Sequence, residues 1–303
     1  MNLMEFLRSR LQGCYCLQES LALHTWYKIG GPAAILAMVS DTESLKELLA
    51  ICREEKVPWF ILGKGANVLA SDEGFAGVVI KLTGEFTQFK AGNLTLEAGA
   101  AMDLQELIIF CEQKGWGGLE YLSGIPGTIG GALTMNAGTD KVVIGDLVEE
   151  VTVLDAELII RRLPAREIEF GYRQVPELRD KVILGCQLRL QQDDTDRLRK
   201  IRLEQLAWRR EKQPLDYPSC GSVFKRPPGD FAGRLIEAAG LKGYRYGEAM
   251  ISDKHAGFIV NLGKARASDV EYLINMIREK VWAEFRVKLE TEVKYLGNTD
   301  RLG

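Results

Sequence analysis

Gly124-Ile125-Pro126-Gly127-Thr128-Ile129-Gly130-Gly131-Ala132 places four glycines within the eight residues 124–131, together with a proline and the Thr128 hydroxyl. Ordering so many glycines costs backbone entropy. A fold accepts that cost where a backbone must approach another group closely or take a positive φ. The plain alternative is a tight crossover buried between Leu119 and Leu133. A second glycine turn, Gly63-Lys64-Gly65-Ala66-Asn67, follows the apolar run Pro58-Trp59-Phe60-Ile61-Leu62, and its amides can form a nest for a diphosphate. It is not a dinucleotide-binding fingerprint, because Val68 stands at the third glycine position and no long helix pattern follows. Nor is it a Walker loop, since the glycine-lysine-Ser/Thr ending is missing. Alone, such a turn is weak evidence. Two of them without Rossmann spacing, in a chain mixing strand and helix signals, point to a flavin held by backbone amides.

Far downstream, Pro218-Ser219-Cys220-Gly221-Ser222-Val223-Phe224-Lys225 sets a hydroxyl after a glycine, with a thiol two residues before it and an ammonium three residues after. One region suited to a phosphorylated cofactor and another suited to presenting a proton donor suggest a two-substrate redox enzyme.

Between these landmarks strand and helix signals alternate, giving an α+β class. Ala34–Val39, Pro58–Leu62, Gly77–Ile80 and Leu94–Ala98 have strand character, and Val151–Ile160 resembles a hairpin closed by Val182–Leu188. Leu45, Leu48, Leu49 and Cys52 recur at helical spacing behind a Ser40/Glu43 capping pair. Leu104, Leu107, Ile108 and Cys111 mark a second helix, stopped near Gly115. From 192 to 212 the chain is charged and helical, with Leu198, Ile201, Leu206 and Trp208 forming its apolar side. A short helix at 231–239, a strand at 257–260, a long helix from Ser268 with Glu271 as its cap, and an alternating strand at 289–295 complete the chain. The boundaries expected are 1–82 and 83–190 for two cofactor-binding subdomains, 191–292 for a substrate domain, and 293–303 for a terminal strand and tail.

The 303 residues suffice for two or three cores, and 46% hydrophobic with 27% charged residues is a globular balance. A formal net charge of -3 argues against a nucleic-acid binder. No apolar stretch approaches the roughly 20 residues that span a bilayer, and the first residues lack secretory-signal features, so neither membrane nor export is expected. Six cysteines without a C-x-x-C pair and two histidines leave few metal ligands, so no metal is expected and a reduced, cytoplasmic setting is the simplest reading.

The chain resembles the UDP-N-acetylenolpyruvoylglucosamine reductases, flavoenzymes of bacterial cell-wall precursor synthesis. The resemblance is carried by Thr25-Trp26-Tyr27-Lys28-Ile29-Gly30-Gly31-Pro32-Ala33, by Leu62 to Leu69 with Asp72, and by Gly118-Leu119-Glu120 through the Gly124 to Gly131 segment. It continues in Met135-Asn136-Ala137-Gly138, Phe170-Gly171-Tyr172-Arg173, Gln213-Pro214, Gly221 to Lys225, Ala238 to Gly243, and Leu289 to Val293. The order agrees from about residue 22 to 297.

The resemblance implies an FAD-binding domain of the vanillyl-alcohol-oxidase type and a smaller α+β substrate domain. It implies NADPH as reductant and UDP-N-acetylglucosamine enolpyruvate as substrate; a cytoplasmic monomer is expected, though the sequence itself does not reveal oligomeric state. FAD contacts fall on Tyr27, Gly63, Lys64, Gly65, Ala66, Asn67, Val68, Gly124, Ile125, Pro126, Gly127, Thr128, Gly130, Gly131 and Ala132. Ser222 corresponds to the proton donor, Arg173 faces the enolate and carboxylate, and Glu292 completes the trio. Beside an anion, Glu292 must be protonated, the state that burial near negative charge favours. Asn136, Tyr172, Lys225, Arg226, Arg234 and Lys242 fall to the substrate, the cations to its diphosphate.

Tyr27 stands where many relatives carry arginine, Ala66 where many carry serine, and Arg226 and Gly257 where asparagine is common. The few residues between Arg173 and the strand at 182 fit the shorter, type II subtype. Two rival readings are a flavin oxidase acting on another alcohol and a silent UDP-sugar binder; the intact trio argues against both. Cys220 is expected to be a packed thiol and His255 a hydrogen-bonded structural residue.

Overall fold

A computed structural model describes residues 1–11 and 14–297, so the end of the expected 293–303 segment lies outside the described residues. The chain forms two interleaved units. One comprises Met1–Cys16, Leu36–Gly63 and Val78–Trp208; the other comprises Leu17–Ile35, Lys64–Gly77 and the chain from Arg209 onward. The four consecutive segments expected from the sequence are not the compact bodies. The chain changes unit inside the strands Tyr15–Ser20, Pro32–Val39 and Phe75–Leu82, where no composition shift marks the change. The boundary expected near 190 falls instead at 208, within the helix Thr195–Lys212.

The first unit is built on a five-stranded antiparallel sheet in the order Ile160–Pro164, Val148–Leu154, Val182–Arg189, Thr95–Gly99, Phe89–Ala91. Leu184, Cys186 and Leu188 alternate inward along its central strand. The expected hairpin is present with its second strand displaced. Asp155 Oδ1 accepts from the amides of Glu157 (3.0 Å) and Ile159 (2.8 Å), which holds 155–159 as the turn and delays pairing to Ile160.

The helix Thr42–Glu54 buries Leu45, Leu48, Leu49 and Cys52, as their spacing predicts. Its cap is Asp41, whose carboxylate accepts from the Ser44 amide at 2.8 Å, one residue later than the Ser40/Glu43 pair suggested. Leu104–Lys114 is a helix capped by Asp103 and ended by Gly115 at φ 69°, where glycine bears no Cβ penalty. Trp208, expected on an apolar face, is 52% exposed, and only Leu198 of that helix is buried.

The second unit centres on a four-stranded antiparallel sheet in the order Ser219–Ser222, Phe258–Asn261, Ala249–Ile251, Arg245–Tyr246. Its core joins Leu235 and Ile236 of the helix Ala232–Ala238 with Val270, Leu273, Ile274, Ile277 and Val281 of the helix Ala267–Phe285. Tyr27, Ile29 and Leu69, from distant parts of the sequence, lie in the same core. Lys294–Leu296 pairs in parallel with Val68–Ala70, so the alternating tail strand is much shorter than its pattern suggested.

The helix Ala267–Phe285 is not capped by Ser268 and Glu271. Arg266 is its N-cap; the Asp269 carboxylate accepts from the Arg266 amide at 3.0 Å. The Asp72 carboxylate accepts from the amides of Ala267 (2.7 Å) and Ser268 (3.0 Å). A negative group at the positive end of a helix dipole adds to these bonds. No helix among the described residues is long and apolar enough to cross a membrane.

Candidate active site

In the first unit the glycine-rich segment is braced from several sides. Gln105 Oε1 accepts from the Gly124 amide at 2.7 Å, while its Nε2 donates to the Ile125 carbonyl at 2.8 Å. The amides of Ile129 and Gly130 donate to the carbonyls of Met102 (2.9 Å) and Ala100 (2.8 Å). Thr128 caps the short helix Ile129–Thr134, its hydroxyl accepting from the Gly131 amide at 3.3 Å. With these donors committed, the amides of Gly127 and Thr128 are left for an outside acceptor among the described residues. A Cβ on Gly127 would meet nothing within 4 Å, so this backbone borders open space.

Gly63 and Thr128 meet: a Cβ on Gly63 would stand 2.8 Å from the Thr128 hydroxyl oxygen. Gly63, the first residue of the glycine turn, therefore lies directly against the glycine-rich segment. Ala132, assigned to the cofactor by resemblance, is 4% exposed inside the short helix and supports the segment from behind. Gln105 escaped the sequence reading. Its position in an amphipathic helix gives no signal beyond an amide able to donate and accept at once.

Arg173 sits in a tight turn. The Gly171 amide donates to the Gln174 carbonyl at 3.0 Å, and Arg173 itself has φ 57°, left-handed and unusual for a residue with a side chain. Its guanidinium lies 5.2 Å from the centre of the Tyr172 ring, and Tyr172 is 53% exposed. Asn136, expected to contact the substrate, is 3% exposed. Its Nδ2 donates to the Gly171 carbonyl and its Oδ1 accepts from the Gly145 amide, both at 3.1 Å. A clamp between two loops replaces the expected substrate contact.

In the second unit Ser222 and Glu292 are carried on neighbouring segments. Ser222 pairs with Phe258 across the sheet, and the next residue's carbonyl, that of Val223, accepts from the Glu292 amide at 2.8 Å. Phe224 and Thr291 form an antiparallel bridge, continued by the Lys225 amide donating to the Glu290 carbonyl at 2.9 Å. The 64–77 segment is tied to the same frame. Asn67 Nδ2 donates to the Glu292 carbonyl at 3.1 Å, and the Lys294 amide to the Asn67 carbonyl at 2.9 Å. Val68, 8% exposed in the paired strand, has its side chain packed in the interior.

Gly65 takes φ 63°, and a Cβ there would come within 2.8 Å of Thr25 Cα, so only glycine allows this turn. The amides of Gly65 and Ala66 make no hydrogen bond among the described residues, which fits them as donors to a phosphate. Backbone donors of this kind suit a phosphate group.

Tyr27 offers its side chain to no ligand. Its ring is fully buried and its hydroxyl donates to the Ile259 carbonyl at 2.8 Å; the Asn261 side chain, through Nδ2, donates to the Tyr27 carbonyl at 3.0 Å. Burial, with the Cys220 thiol beside it, holds the phenol well above its ordinary pKa. Cys220 is itself pushed up to about 12, chiefly by burial, which keeps it a packed thiol. His255 Nδ1 accepts from the Gly257 amide at 3.0 Å, and burial lowers its basicity, so it is the structural histidine that was expected.

The cations read as diphosphate ligands each have company. Lys225 pairs with Glu290 at 3.2 Å, Lys242 with Glu237 at 2.9 Å, and Arg234 Nε donates to Asp230 at 2.7 Å. Arg226 stacks 4.5 Å from the Phe231 ring centre. Exposed pairs of this sort are worth little, so a phosphate can exchange with the carboxylates.

The family described as UDP-N-acetylenolpyruvoylglucosamine reductase, C-terminal domain, matches residues 213–296, and the FAD binding domain family matches 33–162. The chain is 44% identical over 281 residues to UDP-N-acetylenolpyruvoylglucosamine reductase 2 of Symbiobacterium thermophilum, covering 92% of this chain and 91% of that protein. To the UDP-N-acetylenolpyruvoylglucosamine reductase of Caldanaerobacter subterraneus subsp. tengcongensis it is 43% identical over 289 residues, with coverage of 94% and 95%. The crystal structure of the Thermus caldophilus reductase aligns with a TM-score of 0.79 at 36% identity, over 93% of this chain and 98% of that one. On these likenesses, the chain belongs to the UDP-N-acetylenolpyruvoylglucosamine reductase family of FAD-dependent oxidoreductases in peptidoglycan synthesis.

Proposed function

We propose that the protein reduces UDP-N-acetylenolpyruvoylglucosamine to UDP-N-acetylmuramate at the expense of NADPH. When bound, FAD would supply the redox chemistry, hydride transfer through its N5 between NADPH and the terminal vinyl carbon of the substrate. The amides of Gly65, Ala66, Gly127 and Thr128 are the groups suited to hold it.

The chain's own side chains manage charge and proton. Hydride addition puts negative charge on an enolate conjugated to the substrate carboxylate. Arg173, permanently cationic with a planar fork of donors, balances that charge. Ser222 delivers the proton to the carbon adjacent to the one reduced; the strongly basic carbanion offsets the weak acidity of an alcohol. Glu292 in its protonated form completes the set as a donor. Lys225, Arg226, Arg234 and Lys242 meet the diphosphate, and Tyr172 borders the substrate. The observation that carries the reading is the Glu292 amide bonded to the Val223 carbonyl, which holds the carboxyl and hydroxyl segments side by side.

Anaerobic reduction by NADPH followed by the enolpyruvyl-UDP-sugar tests this directly. Reoxidation of the flavin by that compound is expected. Ser222→Ala should be reduced normally and lose about 10²- to 10⁴-fold in reoxidation, the usual range for a removed general acid. Equal turnover would take Ser222 out of the mechanism, and a colourless protein that stays so with FAD would refute the flavin reading.

A further inference from the structure

Asn136 is nearly inaccessible, yet it is joined to the turn that bears Arg173. It follows the short helix Ile129–Thr134, its own amide donating to the Leu133 carbonyl at 3.1 Å, so its backbone continues the glycine-rich segment. Its φ of 40° is one that asparagine tolerates better than most residues. From there both ends of the side-chain amide are used. Nδ2 donates to the Gly171 carbonyl, the same oxygen toward which the Gln174 amide points across the turn at 3.5 Å. Oδ1 accepts from the Gly145 amide. Gly145 is packed so closely on Phe170 that a Cβ there would lie 2.4 Å from the ring. The turn is thus gripped at Gly171 by an amide and at Phe170 by the glycine that the same amide holds.

Arg173 needs such a grip. At φ 57° it occupies a backbone region that side-chain-bearing residues adopt only when their surroundings impose it. A guanidinium can balance a developing enolate only if its direction is fixed before the reaction.

We propose that Asn136 is a positioning residue for Arg173, linking the helix end of the cofactor segment to the turn that presents the guanidinium. The inference rests on the role given to Arg173 above. The Nδ2 donor is the essential part; a side chain that only accepts, or none at all, releases the Gly171 carbonyl and lets the turn relax.

A double-mutant cycle on the flavin-loaded enzyme tests it, reading the two half-reactions separately. Asn136→Gly tolerates the backbone angle and removes the donor. It should slow flavin reoxidation by the enolpyruvyl-UDP-sugar by about 10- to 100-fold, the scale of a misplaced catalytic group, and leave NADPH reduction within about threefold. In an Arg173→Ala background the same change should add less than about twofold, because the group it positions is already gone. Asn136→Asp should show its deficit at alkaline pH and regain activity as pH falls, since only the protonated carboxyl can donate to the Gly171 carbonyl. Flavin content and melting temperature report whether each variant is folded; if Asn136→Gly does not hold flavin, the cycle is run with Asn136→Asp at alkaline pH.

Full reoxidation in the single variant, or equal loss in both backgrounds, overturns the positioning role and leaves Arg173 untouched. Full reoxidation in Arg173→Ala alone instead removes Arg173 from the proposed function, and this inference falls with it.

Discussion

Tyr27 shows how far a residue's role can depend on a partner remote in sequence. The resemblance sets it where arginine is common, but its hydroxyl is spent on the Ile259 carbonyl, 232 positions away. Tyr27→Phe leaves that carbonyl buried without its donor and should destabilise the protein by about 1–3 kcal/mol in urea unfolding, with flavin content unchanged. Loss of flavin at unaltered stability would restore Tyr27 to the cofactor site. The cysteines give a second test at this scale. Burial pushes Cys52 up to about 11 and Cys111, Cys186 and Cys220 up to about 12, while Cys14 is exposed. Only thiolate reacts, so near pH 8 a disulfide reagent should modify Cys14 and Cys16 in the native protein and the other four only after unfolding. Native labelling of Cys220 at the rate of Cys14 would contradict its placement.

Elements were largely legible and their ends less so. The apolar spacing of 45–52 and 104–111 located two helices correctly, because burial of one stripe is what stabilises them. Caps depend on single bonds that any nearby acceptor can supply. Asp72, 195 positions before Ala267, holds the start of the longest helix, and nothing around Ser268 announces it. Asp72→Ala should cost about 1–2 kcal/mol by urea denaturation, as lost helix caps do, and Asp72→Asn less, since an amide oxygen still accepts. An unchanged midpoint in Asp72→Ala would mean that Asp269 alone caps the helix. The site divides in the same way. Its glycine segments stand out in composition, whereas the roles given to Ser222 and Asn136 came from the resemblance, and the two loop partners of Asn136 become its neighbours only on folding.

For the whole molecule, interleaving is what the sequence concealed. A boundary search along the chain looks for contiguous domains, and the C-terminal unit is not contiguous. Its core includes Tyr27, Ile29 and Leu69, and Lys294–Leu296 has its strand partner in Val68–Ala70. A fragment beginning at 209 lacks Tyr27, Ile29 and Leu69 and the partner strand Val68–Ala70. Losing a buried Leu, Ile or aromatic side chain costs about 2–5 kcal/mol each, and three such losses approach the 5–15 kcal/mol that holds a typical domain together. The unpaired edge at 294–296 adds exposed backbone donors and acceptors to the deficit. The isolated 209–303 fragment should therefore show no cooperative thermal transition and should bind a hydrophobic dye, and the 191–303 fragment, cut where composition shifts, should do no better. A cooperative melt with native-like circular dichroism from either fragment would mean that the 17–35 and 64–77 segments are accessories to this unit and not part of its core.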